Sequence, residues 1–331
     1  MRRLGPADGT PEVVAVRTLK MGDLLVAVPA VHALRRAFPG HRLVLAVPGW
    51  LEELVDLVGG VDALLPARGL DGPLDLPPGR ADVAVNLHGD GPDSRGVVAA
   101  LGARRTLGHR GPGTEDGPPW RHGIHERERW ARLLRGHGID ADAADLGLLP
   151  PTVPSPRPGA TVVHVGAFHG ARQWPVERFA AVVRALRARG DEVVLTGSAA
   201  EAPRAGAVAS AAGLDERHVL AGALGLGALA ALVHDAALVV TADTGVAHLA
   251  SAYGVPSVVL FGPAPPEEWG PPADGPHVVL TDARVRRGET FADDPDPALL
   301  AVGVEDVLAA ADALRGVPAR RRYPVLPAGV A

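Results

Sequence analysis

Aliphatic runs and amphipathic stretches alternate along the first half of the chain. Short runs rich in Val and Leu predict buried β-strands, and stretches with apolar residues on one helical face predict helices. The predicted strands are VVAVR (13–17), RLVLAVP (42–48), VDALLP (61–66) and DVAVNLHG (82–89). The predicted helices are LLVAVPAVHALRRAF, WLEELVDLV, SRGVVAALG and the charged IHERERWARLLRGHGI (124–139). Because strands and helices alternate, we expect a parallel, doubly wound sheet in this half.

A proline-rich stretch, GLLPPTVPSPRPGA (147–160), separates this half from a second one. Its composition is typical of an extended linker. The alternation then restarts, with strands predicted at TVVHVG, EVVLTG, HVLAG, LVVT, SVVLF and HVVLTD. We therefore expect an α/β protein with two doubly wound, Rossmann-like domains, residues 1–150 and 151–331, facing a cleft of the kind that binds ligands. The last helix, VEDVLAAADALRG, is a candidate for packing back on the first domain.

The segment LVVTADTGVAHLASAYGVPSVVLFGP (238–263) combines a strand, a turn, a helix and a second strand. Asp243, Thr244 and Gly245 form the predicted turn, with Thr244 as the N-cap of the helix. Such a turn directs main-chain N–H groups to the carboxyl edge of the sheet, where open α/β sheets bind ligands and helix N-termini bind anions. The turn is either a nucleotide-phosphate site or an ordinary capped βα turn. His248, in the following helix, is expected to pack beside the turn rather than to act as a catalyst.

The first βα turn holds Lys20, Met21, Gly22 and Asp23. It is not G-x-G-x-x-G, and the chain contains no G-x-x-x-x-G-K-[ST], which argues against a dinucleotide enzyme and a P-loop NTPase. A carboxylate at the end of the first strand can act as a general base at a cleft. Asp23 can instead serve as a helix cap, and its position alone does not decide between the two.

Two turns of the second half carry further candidates. Arg172 follows TVVHVG and precedes Trp174–Pro175, a pair that suits the start of a helix. Its guanidinium can clamp a diphosphate through paired N–H groups, or it can be a solvated surface charge. Thr196 and Gly197, with Glu201 shortly after them, close the predicted strand EVVLTG at the same edge of the sheet. Glu201 can accept hydrogen bonds from a ribose, or can be an acidic residue favoured at a helix start.

Composition narrows the function classes. Apolar residues make up 47% of the chain, enough for two cores, and the net charge of −5 gives no general attraction to nucleic acid or anionic lipid. The absence of cysteine excludes disulfides and thiolate metal sites and fits a reducing cytosol. No segment has the pattern of a signal peptide or a membrane span. The histidines lack metal-site spacing, and the D-x-D pairs Asp140–Asp142 and Asp294–Asp296 lie in polar surroundings typical of solvated charge, so we expect no metal site.

Four segments resemble motifs of the heptosyltransferase family, glycosyltransferase family 9, typified by the ADP-heptose:lipopolysaccharide heptosyltransferases. TLKMGDLLVAVPAVHALRRAFP is similar to the family's opening Gly-Asp motif, and RQWPVERFAAVVRAL to its Lys-x-Trp-Pro motif. VVLTGSAAE is similar to its strand-Gly-Glu segment, and residues 238–263 to its Asp-[Ser/Thr]-Gly block. The likeness runs from about residue 13 to the final helix.

The resemblance implies a GT-B architecture, with the acceptor in the first domain and the nucleotide sugar in the second. It implies that Asp23 is the general base and that Arg172 stabilises the leaving diphosphate, so these two are the expected catalytic residues. Lys20, Gly22 and His88 are expected on the acceptor side. The residues expected to bind the donor are Thr196, Gly197, Glu201, Asp243, Thr244, Gly245 and His248. Two positions depart from the family pattern, since Arg172 replaces a frequent Lys and His88 a frequent Gln.

The reaction implied is an inverting, metal-independent transfer of a sugar, with heptose from ADP-heptose as the first choice. The acceptor is a hydroxyl of a glycan, a glycolipid or a small-molecule glycoside. No cofactor besides this co-substrate and no nucleic-acid partner are expected. We expect a cytoplasmic protein without a transmembrane segment, able to contact the inner face of the membrane. Two alternatives stay open: a nucleotide-sugar epimerase of the same architecture, and a non-catalytic module that binds nucleotide sugars.

Overall fold

The computed structural model describes residues 3–321, 323 and 324. The chain divides into two compact units, one formed by Met1–Leu149 with Tyr323–Ala331 and the other by Pro150–Arg322. The boundary between Leu149 and Pro150 lies inside the proline-rich stretch that the sequence indicates as a linker. No helix among the described residues combines the length and the apolar character needed to cross a membrane.

The first unit is built on five parallel strands. They are β1 (Glu12–Val16), β2 (Arg42–Val47), β3 (Ala63–Pro66), β4 (Val83–Asn86) and β5 (Arg105–Leu107). The helices of this unit are α1 (Met21–Ala37), α2 (Glu52–Val58), α3 (Pro92–Ala99) and α4 (Glu126–Gly136). Strand β1 is buried along its whole length, as a parallel strand covered on both faces must be. Strand β5 has only three residues and lacks the apolar run that predicted the other strands.

The strand order of the first sheet, β3-β2-β1-β4-β5, creates a switch point between β1 and β4. The chain leaves β1 towards β2 on one side and leaves β4 towards β5 on the other. The loops after these two strands therefore diverge, which opens the crevice where such sheets bind ligands. Residues 17–23 follow β1 and residues 87–90 follow β4, so two of the sequence candidates, Asp23 and His88, lie at this edge.

The second unit repeats the design. Its strands are β6 (Thr161–His164), β7 (Val193–Thr196), β8 (Leu238–Ala242), β9 (Ser257–Leu260) and β10 (His277–Leu280). Its helices are α5 (Val176–Ala188), α6 (Ala202–Ala212), α7 (Leu226–His234), α8 (Gly245–Tyr253), α9 (Pro266–Trp269), α10 (Pro297–Leu300) and α11 (Val304–Ala313). The strands are parallel and run in the order β10-β9-β8-β6-β7. The switch point lies between β6 and β8, where Arg172 and the turn at Asp243 follow.

One predicted strand of this unit, HVLAG, does not form. Val219 makes only an isolated parallel bridge with Leu195, after a 3₁₀ turn at Glu216–His218. The main-chain N of Leu220 donates to the carbonyl of Leu195, so the segment does lie beside β7. The main-chain N of Gly222 also donates to the carbonyl of Gly197, and the φ of 76° at Gly222 then turns the backbone away from an extended path.

The last helix belongs to the second unit. Helix α11 packs on α5, and its Val307, Leu308 and Ala311 join the hydrophobic core of that unit. That this helix also packs back on the first domain, as the sequence suggests, stays a prediction. The predicted fold class, α/β with two doubly wound parallel sheets, is confirmed. That the two domains face a cleft stays a prediction.

Candidate functional site

Asp23 lies in the first turn of α1, at the switch point of the first sheet. Its Oδ2 accepts a hydrogen bond from the main-chain N of Lys20 (3.2 Å), and its Oδ1 lies 3.5 Å from Nη2 of Arg17. A quarter of the side chain, 25%, stays exposed. Asp23 therefore caps α1 and also presents a carboxylate to the surface, so the two interpretations of its role are compatible.

Arg17 extends from the end of β1 and is almost completely buried, with 2% of its surface exposed. Its Nε donates to the carbonyl of Asp23 (2.9 Å) and its Nη1 to the carbonyl of Leu87 (2.6 Å). Burial lowers the pKa of the guanidinium, and the carboxylates of Asp23 and Glu126 oppose that effect. An arginine stays protonated in such a setting, so it places a fixed positive charge beside Asp23. Sequence analysis missed Arg17, although a charged residue that ends the buried run VVAVR was the available signal.

Helix α4 contacts the same arginine. Glu126 Oε2 lies 3.9 Å from Nη2 of Arg17, and Glu126 Oε1 accepts from Nε of Arg129 (2.6 Å). The indole of Trp130 packs on the guanidinium of Arg17, with 4.6 Å from Cζ to the ring centroid. Glu126, Arg129 and Trp130 are all buried. The helix predicted as charged and amphipathic therefore buries part of its charge against the candidate site.

His88 follows β4 at this edge of the first sheet. Its Nδ1 lies 3.1 Å from Oγ1 of Thr18, and its main-chain N donates to Oδ1 of Asn86 (3.0 Å). Burial and the charge of Arg17 lower the pKa of His88, against a smaller opposite effect of Asp23. The ring is therefore neutral at pH 7 and can offer one N–H and one lone pair.

Lys20 and Gly22 complete the first group of candidates. Lys20 is exposed and precedes α1, and Gly22 lies in the first turn of that helix. The structure thus brings Lys20, Gly22, Asp23 and His88 to one edge of one sheet. Their contact with an acceptor stays a prediction.

Arg172 lies at the switch point of the second sheet, in the 3₁₀ turn Gly170–Arg172. Its Nη1 is 3.1 Å from Oδ2 of Asp243 and 3.4 Å from the Asp243 carbonyl. The Asp243 side chain is 4% exposed, and that of Arg172 is 27% exposed. The Nε of Arg172 is buried and donates to no acceptor in the described part of the chain. Asp243 therefore holds the guanidinium in place while about a quarter of the Arg172 side chain stays exposed.

The helix after this aspartate begins as predicted. Thr244 is the N-cap of α8, and its Oγ1 accepts from the main-chain N of Val246 (3.3 Å). The hydroxyl of Thr241 lies 3.0 Å from that of Thr244 and fixes its orientation. The first N–H groups of a helix have no acceptor within the helix, so this end, directly after Asp243, suits an anion.

Glu201 connects the loops after β6 and β7. Its Oε2 accepts from the main-chain N of Ser198 (2.7 Å). A Cβ placed on Gly166 would lie 2.2 Å from that oxygen, so only glycine leaves room for this carboxylate. A Cβ on Gly197 would lie 3.2 Å from the Cβ of Glu201. Glu201 thus lies at the carboxyl edge of the sheet, as the sequence predicted, and it also caps its own 3₁₀ turn.

Two of the donor-side candidates, Thr196 and His248, are buried. Thr196 is 1% exposed, and its hydroxyl lies 3.0 Å from Nδ1 of His164. His248 is 6% exposed, with its ring centroid 6.3 Å from that of Trp269. Such positions favour a role in supporting the edge over direct contact with a ligand. Their assignment to donor binding stays a prediction.

Asp296 corrects one sequence interpretation. It is completely buried rather than solvated, and its carboxylate accepts from the main-chain N of Gly288 (3.1 Å) and of Ala298 (2.9 Å). The sequence could not indicate this role, because the donors to Asp296 are main-chain N–H groups, which every residue except proline has. Asp296 therefore holds a loop together. Among the described residues, no group of three or more His, Asp or Glu side chains is placed to hold a metal ion.

Comparison with known proteins assigns a family to the part of the chain that contains the second group of candidates. Residues 137–288 match the family model described as glycosyltransferase family 9 (heptosyltransferase). Over these residues, the chain is similar to the heptosyltransferase family. The matched part includes Arg172, Glu201 and the turn at Asp243, whereas Asp23 lies outside it. The resemblance inferred from sequence motifs is confirmed.

Individual heptosyltransferases agree with this assignment. Lipopolysaccharide heptosyltransferase 1 of Pseudomonas aeruginosa is 34% identical over 152 residues, which are 44% of this chain and 41% of that protein. The chain thus matches about two fifths of the length of this curated relative.

Solved structures extend the likeness to both units. A glycosyl transferase family 9 structure from Veillonella parvula has a TM-score of 0.74 at 20% identity, covering 92% of this chain and 97% of its own. The structure of Escherichia coli ADP-heptose lps heptosyltransferase II has a TM-score of 0.72 at 20% identity, covering 92% of this chain and 98% of its own. At such identities the likeness establishes the shared two-domain, Rossmann-like fold.

Proposed function

We propose that this protein is an inverting glycosyltransferase that moves a sugar from a nucleotide diphospho-sugar to an acceptor hydroxyl. The observation that carries the proposal is the Arg172–Asp243 pair beside the N-terminus of α8, at the switch point of the second sheet. A planar guanidinium and a helix N-terminus both bind phosphate oxygens. The glycosyltransferase family 9 model that residues 137–288 match supports glycosyl transfer as the reaction. The name of the similar E. coli structure, an ADP-heptose lps heptosyltransferase, supports ADP-heptose as the donor.

On the donor side, the diphosphate gains negative charge as the bond to the anomeric carbon breaks. Arg172 and the first N–H groups of α8 stabilise that charge, which is the form of catalysis that fixed dipoles supply best. Asp243 does not contact the phosphates in this proposal, because two anions would repel each other. It orients Arg172 instead, from its position 3.1 Å away. Glu201 accepts a hydrogen bond from a ribose hydroxyl.

On the acceptor side, Asp23 takes the proton of the hydroxyl as its oxygen attacks the anomeric carbon. Its carboxylate is partly exposed and lies at the first sheet's switch point, which suits a general base. His88, neutral at pH 7, lies at the same edge and orients the acceptor. The acceptor is a glycan, glycolipid or small-molecule glycoside, with the lipopolysaccharide core as the first choice because of the relatives' names. We propose that the reaction needs no metal ion and takes place in the cytoplasm, at the inner face of the membrane for a glycolipid acceptor.

The test is to incubate the protein with ADP-heptose, and with GDP-, UDP- and dTDP-sugars, with and without a lipopolysaccharide inner-core acceptor. Release of nucleoside diphosphate and the glycosylated product are measured, together with the melting temperature at each donor. We expect one donor to raise the melting temperature, since a ligand bound only by the folded state stabilises it. We also expect product only when the acceptor is present, with the same yield in excess EDTA.

Other outcomes would change the assignment. Nucleotide release without an acceptor would indicate an epimerase, and stabilisation without turnover would indicate a binding module. If no nucleotide sugar raises the melting temperature, the donor site is wrong. Activity that disappears with EDTA and returns with Mg²⁺ would contradict the metal-independent mechanism.

A further inference from the structure

A buried arginine contacts the proposed general base from inside the first unit. We propose that Arg17 is the positioning residue of Asp23: it fixes the carboxylate and the first turn of α1 together, and α4 fixes Arg17. The inference rests on the proposed function, because it concerns the base of that reaction. It adds three residues, Arg17, Glu126 and Trp130, that no family motif described above includes.

The guanidinium joins the two loops that diverge at the switch point. Nε donates to the carbonyl of Asp23 in the first turn of α1, which follows β1 (2.9 Å), and Nη1 donates to the carbonyl of Leu87 after β4 (2.6 Å). These bonds use the rigid, planar arrangement of donors that distinguishes arginine from lysine. Arg17 therefore sets where α1 begins relative to β4.

Each oxygen of the base has a partner within the first unit. Oδ1 of Asp23 lies 3.5 Å from Nη2 of Arg17, and Oδ2 accepts from the main-chain N of Lys20 (3.2 Å). Each carboxylate oxygen has two lone pairs, so one on each oxygen remains for the partly exposed side. A general base must meet the acceptor hydroxyl within hydrogen-bond distance and at a suitable angle. Because both oxygens have fixed partners, the carboxylate already has a defined orientation before the acceptor binds.

Helix α4 keeps Arg17 from leaving Asp23. Trp130 covers one face of the guanidinium at 4.6 Å, and Glu126 lies 3.9 Å from Nη2. Arg129 bonds the second oxygen of Glu126 (2.6 Å), so this glutamate is shared and does not draw Arg17 away. The charges alternate from Asp23 to Arg129, which makes each buried charge dependent on its neighbour.

Arg35 provides a matched control. It is also buried (3% exposed), lies in the last turn of α1, and donates to Oδ2 of Asp62 (2.7 Å). It further bonds the carbonyls of Phe38 and His41. Arg35 thus resembles Arg17 in burial, carboxylate partner and carbonyl partners, but it lies at the other end of the helix. Its loss should affect stability alone.

The experiment compares Arg17→Met, Arg17→Lys and Arg35→Met with the wild type. The measurements are kcat, the KM for ADP-heptose, the melting temperature and the crystal structure of each variant. We expect Arg17→Met to lower kcat by about 10²-fold, the size of effect that a misplaced catalytic group causes, with the donor KM unchanged. Arg17→Lys should recover part of kcat, because it restores the charge without the planar set of donors. Arg35→Met should lower the melting temperature and keep the wild-type kcat.

Several results would overturn the inference. Wild-type kcat in Arg17→Met would do so, and so would a loss of kcat in Arg35→Met as large as that in Arg17→Met. If Arg17→Met does not fold, Arg17→Lys decides, since wild-type kcat there would show that the donor geometry is unimportant. If the wild type itself turns over none of the nucleotide sugars named above, the proposed function fails. The crystal structures then decide on Arg17, and an unmoved Asp23 carboxylate in an Arg17 variant would contradict the positioning role.

Discussion

At the residue scale, the pairing of Arg172 with Asp243 changes what a substitution should do. From sequence alone, Arg172 is either a clamp for a diphosphate or a solvated surface charge, and neither interpretation includes a buried partner. In the structure, its partner carboxylate is 4% exposed. A buried carboxylate that loses its partner is strongly unfavourable, because it pays for desolvation without a compensating charge. Besides its proposed role in donor binding, Arg172 therefore contributes to the stability of the folded state.

We expect Arg172→Ala to weaken donor binding and also to lower the melting temperature without ligand. The loss of a charged hydrogen-bond partner costs about 1.5–3 kcal/mol, which corresponds to about 10- to 100-fold in donor affinity. Arg172→Lys should recover part of the affinity, since the charge returns without paired donors. The double variant Arg172→Ala/Asp243→Asn should regain melting temperature but not affinity. The measurements are calorimetry with the donor and thermal unfolding without it.

Two other results would count against this pair. If the double variant is no more stable than Arg172→Ala, the ion pair does not stabilise the folded state. If donor affinity is unchanged in every Arg172 variant, the phosphates bind elsewhere, and the N-terminus of α8 remains as the proposed contact.

A candidate residue could be found from the sequence when its role depends only on residues close to it in the chain. Thr244 caps α8 and Asp23 lies in the first turn of α1, because a cap and its helix are neighbours in the chain. The partners of these residues could not be found in that way. Asp243 is 71 positions from Arg172, and only the parallel order of β6 and β8 brings the two together. Arg17 was missed for the same reason.

At the element scale, the loop before α4 packs an imidazole between two indoles. His109 is 1% exposed, and its ring centroid lies 4.8 Å from that of Trp120 and 5.9 Å from that of Trp130. Burial, and then the charges of neighbouring arginines, chiefly Arg129, lower the pKa of His109 from its ordinary 6.5 to about 4. This loop and α4 are therefore packed around a neutral histidine.

The expected consequence is a loss of stability in acid. Above pH 6.5, His109 is neutral in both the folded and the unfolded chain. Between pH 6.5 and 4, the unfolded chain binds a proton that the folded protein excludes, so the free energy of unfolding falls by about 1.4 kcal/mol per pH unit from this residue. His109→Phe should reduce the fall in melting temperature over that interval. The control is the exposed His122→Phe in the same loop, which should leave the fall unchanged, and equal pH dependence of wild type and His109→Phe would contradict the expected pKa.

The helices and strands themselves were mostly predictable, because their apolar spacing is a property of consecutive residues. The exceptions are short. Strand β5 has three residues and little apolar character, and HVLAG has the right composition but meets Gly222 before it can pair along its length.

At the scale of the whole molecule, two sheets of similar topology each carry candidates at a switch point. The alternation of strands and helices was enough to predict parallel sheets, and the rule that ligands bind where the strand order reverses explains why candidates far apart in sequence converge. The family model covers residues 137–288, so it includes the proposed donor side and leaves the proposed base outside. In the proposed mechanism, donor binding does not need Asp23, but transfer does. Asp23 is therefore the residue that best distinguishes a transferase from a nucleotide-sugar binding protein.

The rate of sugar transfer by Asp23→Asn, measured beside its calorimetric affinity for the donor, tests this dependence. An asparagine can still accept the hydrogen bond from Lys20 through its amide oxygen, so the cap of α1 should persist, whereas the melting temperature should fall because buried Arg17 loses a charged partner. We expect transfer to fall by about 10²- to 10⁴-fold, as for a lost general base, while the donor binds as tightly as to the wild type. Wild-type turnover by Asp23→Asn across a range of pH would show that Asp23 is only a helix cap and that the proposed mechanism is wrong.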